Sequence, residues 1–264
     1  MPLLAAKGDF LLVDYTLKDK DTGEVLDTTS REVAEKAGLR RDVVYEPKLV
    51  ILGAGWLIKG LEEALEGMKE GEEKELEIPP EKAYGERDPS KVRIVAAREL
   101  SRKGITPRVG TRVEIDGQFA IIRQVGSGRV ILDFNHPLAG RTLLGNVKIV
   151  RVVKDTTEKI RELLHSRIPG VPKELFQITL LDGTAVIEIP EEARTLEGLP
   201  FVKRGVVRSI EQYIPEIYTV QFTETYVIKK PEPPKKEEGK KAEEKPAEEK
   251  KTPRRAARKK SSKE

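Results

Sequence analysis

The run Leu49-Val50-Ile51-Leu52-Gly53-Ala54-Gly55-Trp56-Leu57-Ile58-Lys59-Gly60 constrains this chain more than any other. Its first four residues are apolar and read as a strand. Glycines at 53 and 55 interrupt them with a turn, and a helix follows. In that helix Ile58, Leu61, Leu65 and Met68 recur on one face, with Glu62, Glu63 and Glu66 off it, and Gly71 is expected to close it.

The surroundings supply more strands. Within residues 8–30, Phe10 and Leu12 alternate against Leu11, Val13, Tyr15 and Leu17; Asp21-Thr22-Gly23 forms a turn and Val25-Leu26-Asp27 continues extended. Residues 30–37 suit a short helix capped by Ser30 and stopped by Gly38. Lys74 to Ile78 alternates as a strand, ended by Pro79-Pro80 and followed by Ala83-Tyr84-Gly85. Residues 86–134 read as a second, β-rich unit, with Val113, Ile115, Phe119, Ile121, Val130 and Leu132 in short strands between hairpin turns at Asp116-Gly117 and Gly126-Ser127-Gly128. Asn135-His136-Pro137-Leu138-Ala139-Gly140 is a loop, and Val147 to Val153 a further strand. A third unit over about 155–228 combines helices at Thr157–His165 and Val202–Tyr213 with a hairpin around Asp182-Gly183 and a strand at Tyr218–Phe222.

Apolar periodicity stops near Ile228. Residues 229–264 hold 15 Lys and Arg against 8 Glu, so of the overall charge of +4 this segment carries +7 and the rest −3. Such a segment buries too little apolar surface to offset its ordering entropy and reads as a disordered charged tail. The 38% hydrophobic content is enough for real cores. With no Cys, disulfides and thiolate chemistry are excluded, and two histidines far apart, His136 and His165, make a His/Cys metal site a poor expectation. No stretch reaches the ~20 apolar residues of a membrane span, and Met1–Phe10 lacks the features of a signal peptide. A cytoplasmic protein without membrane contact is expected.

Three motifs, in order, resemble those of the FKBP-type peptidyl-prolyl cis/trans isomerases, and most closely the SlyD-like branch, whose flap carries an inserted chaperone domain. They are Gly53 to Glu62, Pro79-Pro80-Glu81-Lys82-Ala83-Tyr84-Gly85 and Asn135 to Gly140, within a resemblance covering residues 8–153. Residues 155–228 resemble the extra C-terminal domain of long archaeal members. The implied fold is α+β: an antiparallel sheet wrapped on a short helix (1–85 and 135–154), a small β-rich domain inserted in the flap (86–134), a C-terminal α+β domain (155–228) and the tail (229–264).

The implied activity is isomerisation of X–Pro bonds in unfolded or nascent chains. Amide resonance sets a barrier of ~18–20 kcal/mol. An apolar cup that strips water from the planar amide and holds the twisted form lowers it, with no metal, cofactor or nucleophile. The resemblance assigns Tyr15, Asp27, Ile58 and Tyr84 to catalysis: the Ile58 N–H and the Tyr84 hydroxyl as donors to substrate carbonyls, Asp27 as a carboxylate near the twisting amide. It assigns Leu26, Leu57, Leu61 and Leu143 to substrate contact. Leu61 stands where many relatives have a Trp, and Gly145 where they have a large apolar residue, which implies either a weaker site or a gap that Leu143 fills. Without the motifs, Tyr15, Leu26 and Ile58 would read as ordinary core residues. His136 reads as a structural loop residue and His165 as a helix-surface residue.

The inserted unit implies reversible binding of unfolded segments, with Ile94, Val95 and Val130 as client contacts, although core packing is the blander reading of such residues. The C-terminal unit is left open between homodimerisation and added client surface. The tail is most simply a solubilising extension; its basic Arg254–Lys260 cluster also offers phosphate contacts to ribosomal or other RNA. The alternative to an isomerase is a holdase chaperone whose prolyl pocket is weak or lost.

Overall fold

A computed structural model describes residues 4–228; the charged tail expected at 229–264 lies outside them. The chain runs β1 (Phe10–Asp19), β2 (Val25–Thr28), α1 (Arg31–Ala37), β3 (Lys48–Ile51), α2 (Lys59–Leu65) and β4 (Glu73–Ile78). It continues with β5 (Val92–Ala96), α3 (Ala97–Arg102), β6 (Arg112–Ile115), β7 (Gln118–Gly126) and β8 (Arg129–Asp133), and returns through β9 (Leu143–Val153). It ends with α4 (Thr156–His165), β10 (Gln177–Leu181), β11 (Thr184–Glu188), α5 (Glu191–Arg194), α6 (Leu199–Tyr213) and β12 (Thr219–Thr223).

The first sheet is antiparallel. β9 lies between β1 and β4, and the far edge of β1 is shared by β3 at its start and β2 at its end. Both faces of this sheet are covered. Leu11, Val13, Tyr15, Leu17, Val50 and Leu52 pack with Leu61 and Leu65 of α2. Phe10, Leu12, Leu49, Ile51 and Val153 point the other way, into one core with α4, α6 and β11. Burial on two sides is why residues 49–52 are apolar without alternation.

Helix α2 is shorter than its periodicity suggested. It stops at Leu65, Glu66 is extended and Gly67 takes φ 80°, so Gly71 does not close it. Met68 is still buried, carried inward by that turn, and its carbonyl accepts a 2.8 Å hydrogen bond from the Ala5 N–H. The helix presses hard on the sheet: a Cβ on Gly60 would stand 2.5 Å from Ile78 Cγ2. Strand β9 begins at Leu143, four residues before the expected Val147, because β1 and β4 pair with it from there onward.

The second sheet has the order β5-β8-β7-β6, all antiparallel. In β7, Ala120 and Ile122 face the core, and Phe119 is exposed beneath the guanidinium of Arg112. β5 and α3 were not anticipated, since Ile94-Val95 shows no alternation. The two strands crossing into this unit are tied together. The Asn135 amide donates to the Asp88 carbonyl and to the Asp133 carboxylate, and its oxygen accepts from the Asp88 N–H. Asp133 is also held by Arg87 and Arg123. Burial pushes this carboxyl up, but the Asn135 contacts and the two guanidinium groups together outweigh it and hold it below the usual range.

The third sheet, β10-β11-β12, pairs β10 with β11 through the expected Asp182-Gly183 hairpin and runs β12 parallel to β11. Helices α5 and α6 make the crossover that parallel pairing requires. Among the described residues no helix is long and apolar enough to cross a membrane.

Candidate functional site

Strand β1 brings Tyr15 beside the end of β2. Backbone and side chain rivet the two strands there: the Tyr15 N–H donates to Thr29 Oγ1 at 2.9 Å and the Thr29 N–H to the Tyr15 carbonyl at 2.9 Å. The Tyr15 ring is buried, and its hydroxyl donates to Asp27 Oδ2 at 2.7 Å. Burial, then that hydrogen bond, then the Asp27 charge push the Tyr15 phenol above the ordinary tyrosine range. Tyr84 is raised too, by burial and by the Asp27 charge.

The turn into α2 carries the second half of the constellation. Glu62 reaches back so that one carboxylate oxygen accepts from the Trp56 N–H at 2.7 Å and from the Leu57 N–H at 3.2 Å. Ile58 caps the helix with φ −61° and ψ 147°, and among the described residues nothing accepts its N–H. The turn therefore presents one aimed, unpaired donor beside two satisfied ones. Tyr84 follows the 3-10 turn Pro80–Lys82, and its ring stacks on His136, centroids 4.4 Å apart and 7° from parallel. Its hydroxyl has no hydrogen-bond partner among the described residues. His136 is thus the stacking platform of Tyr84.

Leu26, Leu57, Ile58 and Tyr84 all pack, partly exposed, on the core that holds Tyr15. Leu61 and Leu143 have no exposed surface and back the site without lining it. The space in front of Gly145 is taken by Ile78, Leu61 and Leu76, with nearest atoms at 3.1–3.3 Å, and not by Leu143. A leucine floor on α2 and two branched residues of β4 fill what a single large ring would occupy.

The main cavity, about 600 Å³, extends further than the sequence indicated. Tyr15, Leu26 and Asp27 form one wall, while Ile58 and Tyr84 are not among its lining residues. The remaining walls come from Leu39–Leu49, from Trp56, and from His165 and Arg167 at the end of α4. His165 is not a surface residue: its ring bonds Glu46 Oε1 at 2.9 Å and the Val171 carbonyl at 3.1 Å, tying α4 to the loop before β3. The exposed apolar pair Val43-Val44, set among charges, was the one sequence sign that this loop faces a cavity.

On the inserted sheet, Ile94 is 65% exposed and shares a shallow recess with Val92, Ile131, Pro89 and Arg87. Val130 is fully buried in the core of that unit, which removes it from the expected client surface, and Val95 is partly buried against the same core. Register explains the difference: Ile94 pairs with Ile131 on the outer face, and Val130 points inward.

Comparison with known proteins gives three family matches. A model described as FKBP-type peptidyl-prolyl cis-trans isomerase matches residues 3–101, one described as FKBP26, IF domain matches 93–138, and one described as FKBP26_C-terminal matches 156–227. A short-type peptidyl-prolyl cis-trans isomerase of Methanocaldococcus jannaschii is 40% identical over 147 residues, 55% of this chain and 92% of that protein. An FKBP-type peptidyl-prolyl cis-trans isomerase SlyD of Treponema pallidum is 34% identical over 156 residues, 58% of this chain and 80% of its own length. An FKBP-type 16 kDa peptidyl-prolyl cis-trans isomerase of Escherichia coli is 29% identical over 147 residues, 54% and 89% of the two chains.

Proposed function

The chain belongs to the FKBP-type peptidyl-prolyl cis-trans isomerase family, and from that premise we propose that it isomerises X–Pro bonds in unfolded or nascent polypeptides and holds those clients on its inserted sheet. The observation that carries the isomerase reading is the Tyr15–Asp27 hydrogen bond, with Tyr84 and an unpaired Ile58 N–H on the same apolar core. The twisted amide is less polar across its C–N bond than the planar one, so the apolar surround favours it. Ile58 and Tyr84 anchor the flanking carbonyls, which costs the site no reorganisation as the bond turns. Asp27, fixed by Tyr15, sets the field at the amide. No proton has to move.

The division into an isomerase domain (1–85 and 135–154), an insert (86–134) and a C-terminal domain (155–228) is supported by three separate sheets and by the family matches. Ile94, with its neighbours Val92 and Ile131, supports client holding, because a mobile chain tethered there meets the prolyl site at raised effective concentration. Phe201, 77% exposed on α6, supports a homodimer through the C-terminal unit. A cytoplasmic location, and ribosome or RNA contact through the basic tail, remain part of this reading.

Proline-limited refolding of a client, followed beside its aggregation, tests the proposal. Acceleration together with suppressed aggregation is expected. Suppression without acceleration would leave a holdase alone.

A further inference from the structure

The side chain of Arg167 is held in an unusual way. Its guanidinium donates to the Leu163 carbonyl at 3.3 Å, the Gly205 carbonyl at 3.2 Å and Ser209 Oγ at 2.9 Å. Gly205 lies inside α6, where glycine costs a helix ~1 kcal/mol relative to alanine. The reason is steric: a Cβ at Gly205 would stand 2.9 Å from Arg167 Nε. Helix α6 gives up propensity to seat this cation. Yet every acceptor is neutral, and among the described residues no carboxylate forms an ion pair with it. Burial alone acts on its pKa, downward. A half-buried charge without a counter-ion is unfavourable unless one arrives from outside.

Arg167 lines the same cavity as Tyr15 and Asp27, with its guanidinium carbon 5.9 Å from the Trp56 ring centroid. Lys48 also lines it, with Nζ 5.9 Å from the Tyr15 ring centroid, and likewise has no ion pair among the described residues. Arg40 is paired with Asp42, and Glu162 with Lys173 and Arg151, while Glu46 bonds the His165 ring. Asp27 accepts from Tyr15. Arg167 and Lys48 are therefore the cations on this wall without a carboxylate partner among the described residues.

We propose that Arg167 and Lys48 form a carboxylate subsite of the prolyl cavity, so that the protein favours clients with Asp or Glu within a few residues of the isomerising proline. The proposal rests on reading Tyr15, Leu26 and Asp27, which line this cavity, as part of the prolyl site. It gives the C-terminal unit a direct part in selecting substrate. Arg167 offers a fixed charge whose Nε–H and one Nη1–H are not given to protein acceptors, and Lys48 a mobile second charge.

The test uses the full chain and proline peptides that carry Glu or its neutral isostere Gln at each of the positions flanking the proline. At one position the Glu peptide should exceed the Gln peptide in kcat/KM by about tenfold, through KM, and the ratio should fall as salt is raised. In Arg167→Met that ratio should drop to about one, with Arg167→Lys between. Because Arg167 also joins α4 to α6, the exposed Lys48→Met serves as an independent variant and should lower the ratio severalfold. A ratio near one at every position in the unaltered protein, with Gln peptides turned over, overturns the subsite alone. A ratio unmoved by both substitutions does the same. Turnover of neither peptide set overturns the isomerase reading and the subsite with it.

Discussion

The Tyr15 hydroxyl donates to the Asp27 carboxylate across 2.7 Å, joining the central strand of the first sheet to its short edge strand. Tyr15 is buried, whereas Asp27 is exposed. The bond therefore fixes a solvent-facing charge from below. Tyr15→Phe removes the fixing group and leaves the ring. Stability should change by about 1 kcal/mol or less, since Asp27 regains water. On the proposed mechanism kcat/KM for a proline peptide should fall by on the order of tenfold through a loosened carboxylate. Equal thermal stability with unchanged kcat/KM would detach Asp27 from catalysis.

Gly60→Ala pits two effects against each other. Alanine favours a helix by ~1 kcal/mol over glycine. Here its methyl group would overlap Ile78, at 2.5 Å from Cγ2, and overpacking of a tight contact costs ~1–3 kcal/mol or more. The clash should win, and the urea midpoint should fall with the m-value unchanged.

The motif around Gly60 was legible in the sequence because close packing leaves a compositional mark. So were α1, the hairpin turns and most strands. Other features were hidden for physical reasons. The end of α2 was misjudged because Met68 keeps helical spacing although Gly67 has already turned the chain. The inward face of β7 was hidden because it carries Ala120 and Ile122, while Phe119, the largest apolar residue there, lies outside under Arg112. Tyr15, Asp27 and Tyr84 act on one another electrostatically in the folded chain. The wall formed by His165 and Arg167 carries no local signature. It exists because two units far apart in sequence share a core through Phe10 and Leu12.

Ile94 and Val130 lie on opposite faces of the inserted sheet, and their substitutions should separate. Ile94→Ser should weaken suppression of client aggregation while stability stays within ~0.5 kcal/mol. Val130→Ala should cost about 2 kcal/mol through a small cavity, read as a lowered denaturation midpoint. Loss of holding that follows stability alone, in both variants, would remove Ile94 from the client surface.

Asp19 gives the fold an acid limit. Hydrogen bonds from Thr22, with help from Arg141 and the Asp21 N–H, lower its carboxyl to about 2. The unfolded chain titrates this group near ~3.9. The folded pKa is the lower one, so the stabilisation is complete above about pH 4 and is lost as pH falls towards 2. Asp19→Asn should flatten that part of the stability–pH curve, measured by denaturant melts at each pH. An unaltered slope would assign the acid limit to other carboxylates.

The most direct measurement is the cis–trans exchange rate of a neutral proline tetrapeptide, with and without the intact chain, followed through the Asp27→Ala and Tyr84→Phe variants. The account predicts clear acceleration by the unaltered protein, reduced on the order of tenfold or more in each variant while folding is retained. Exchange at the uncatalysed rate in the presence of the folded protein would contradict it.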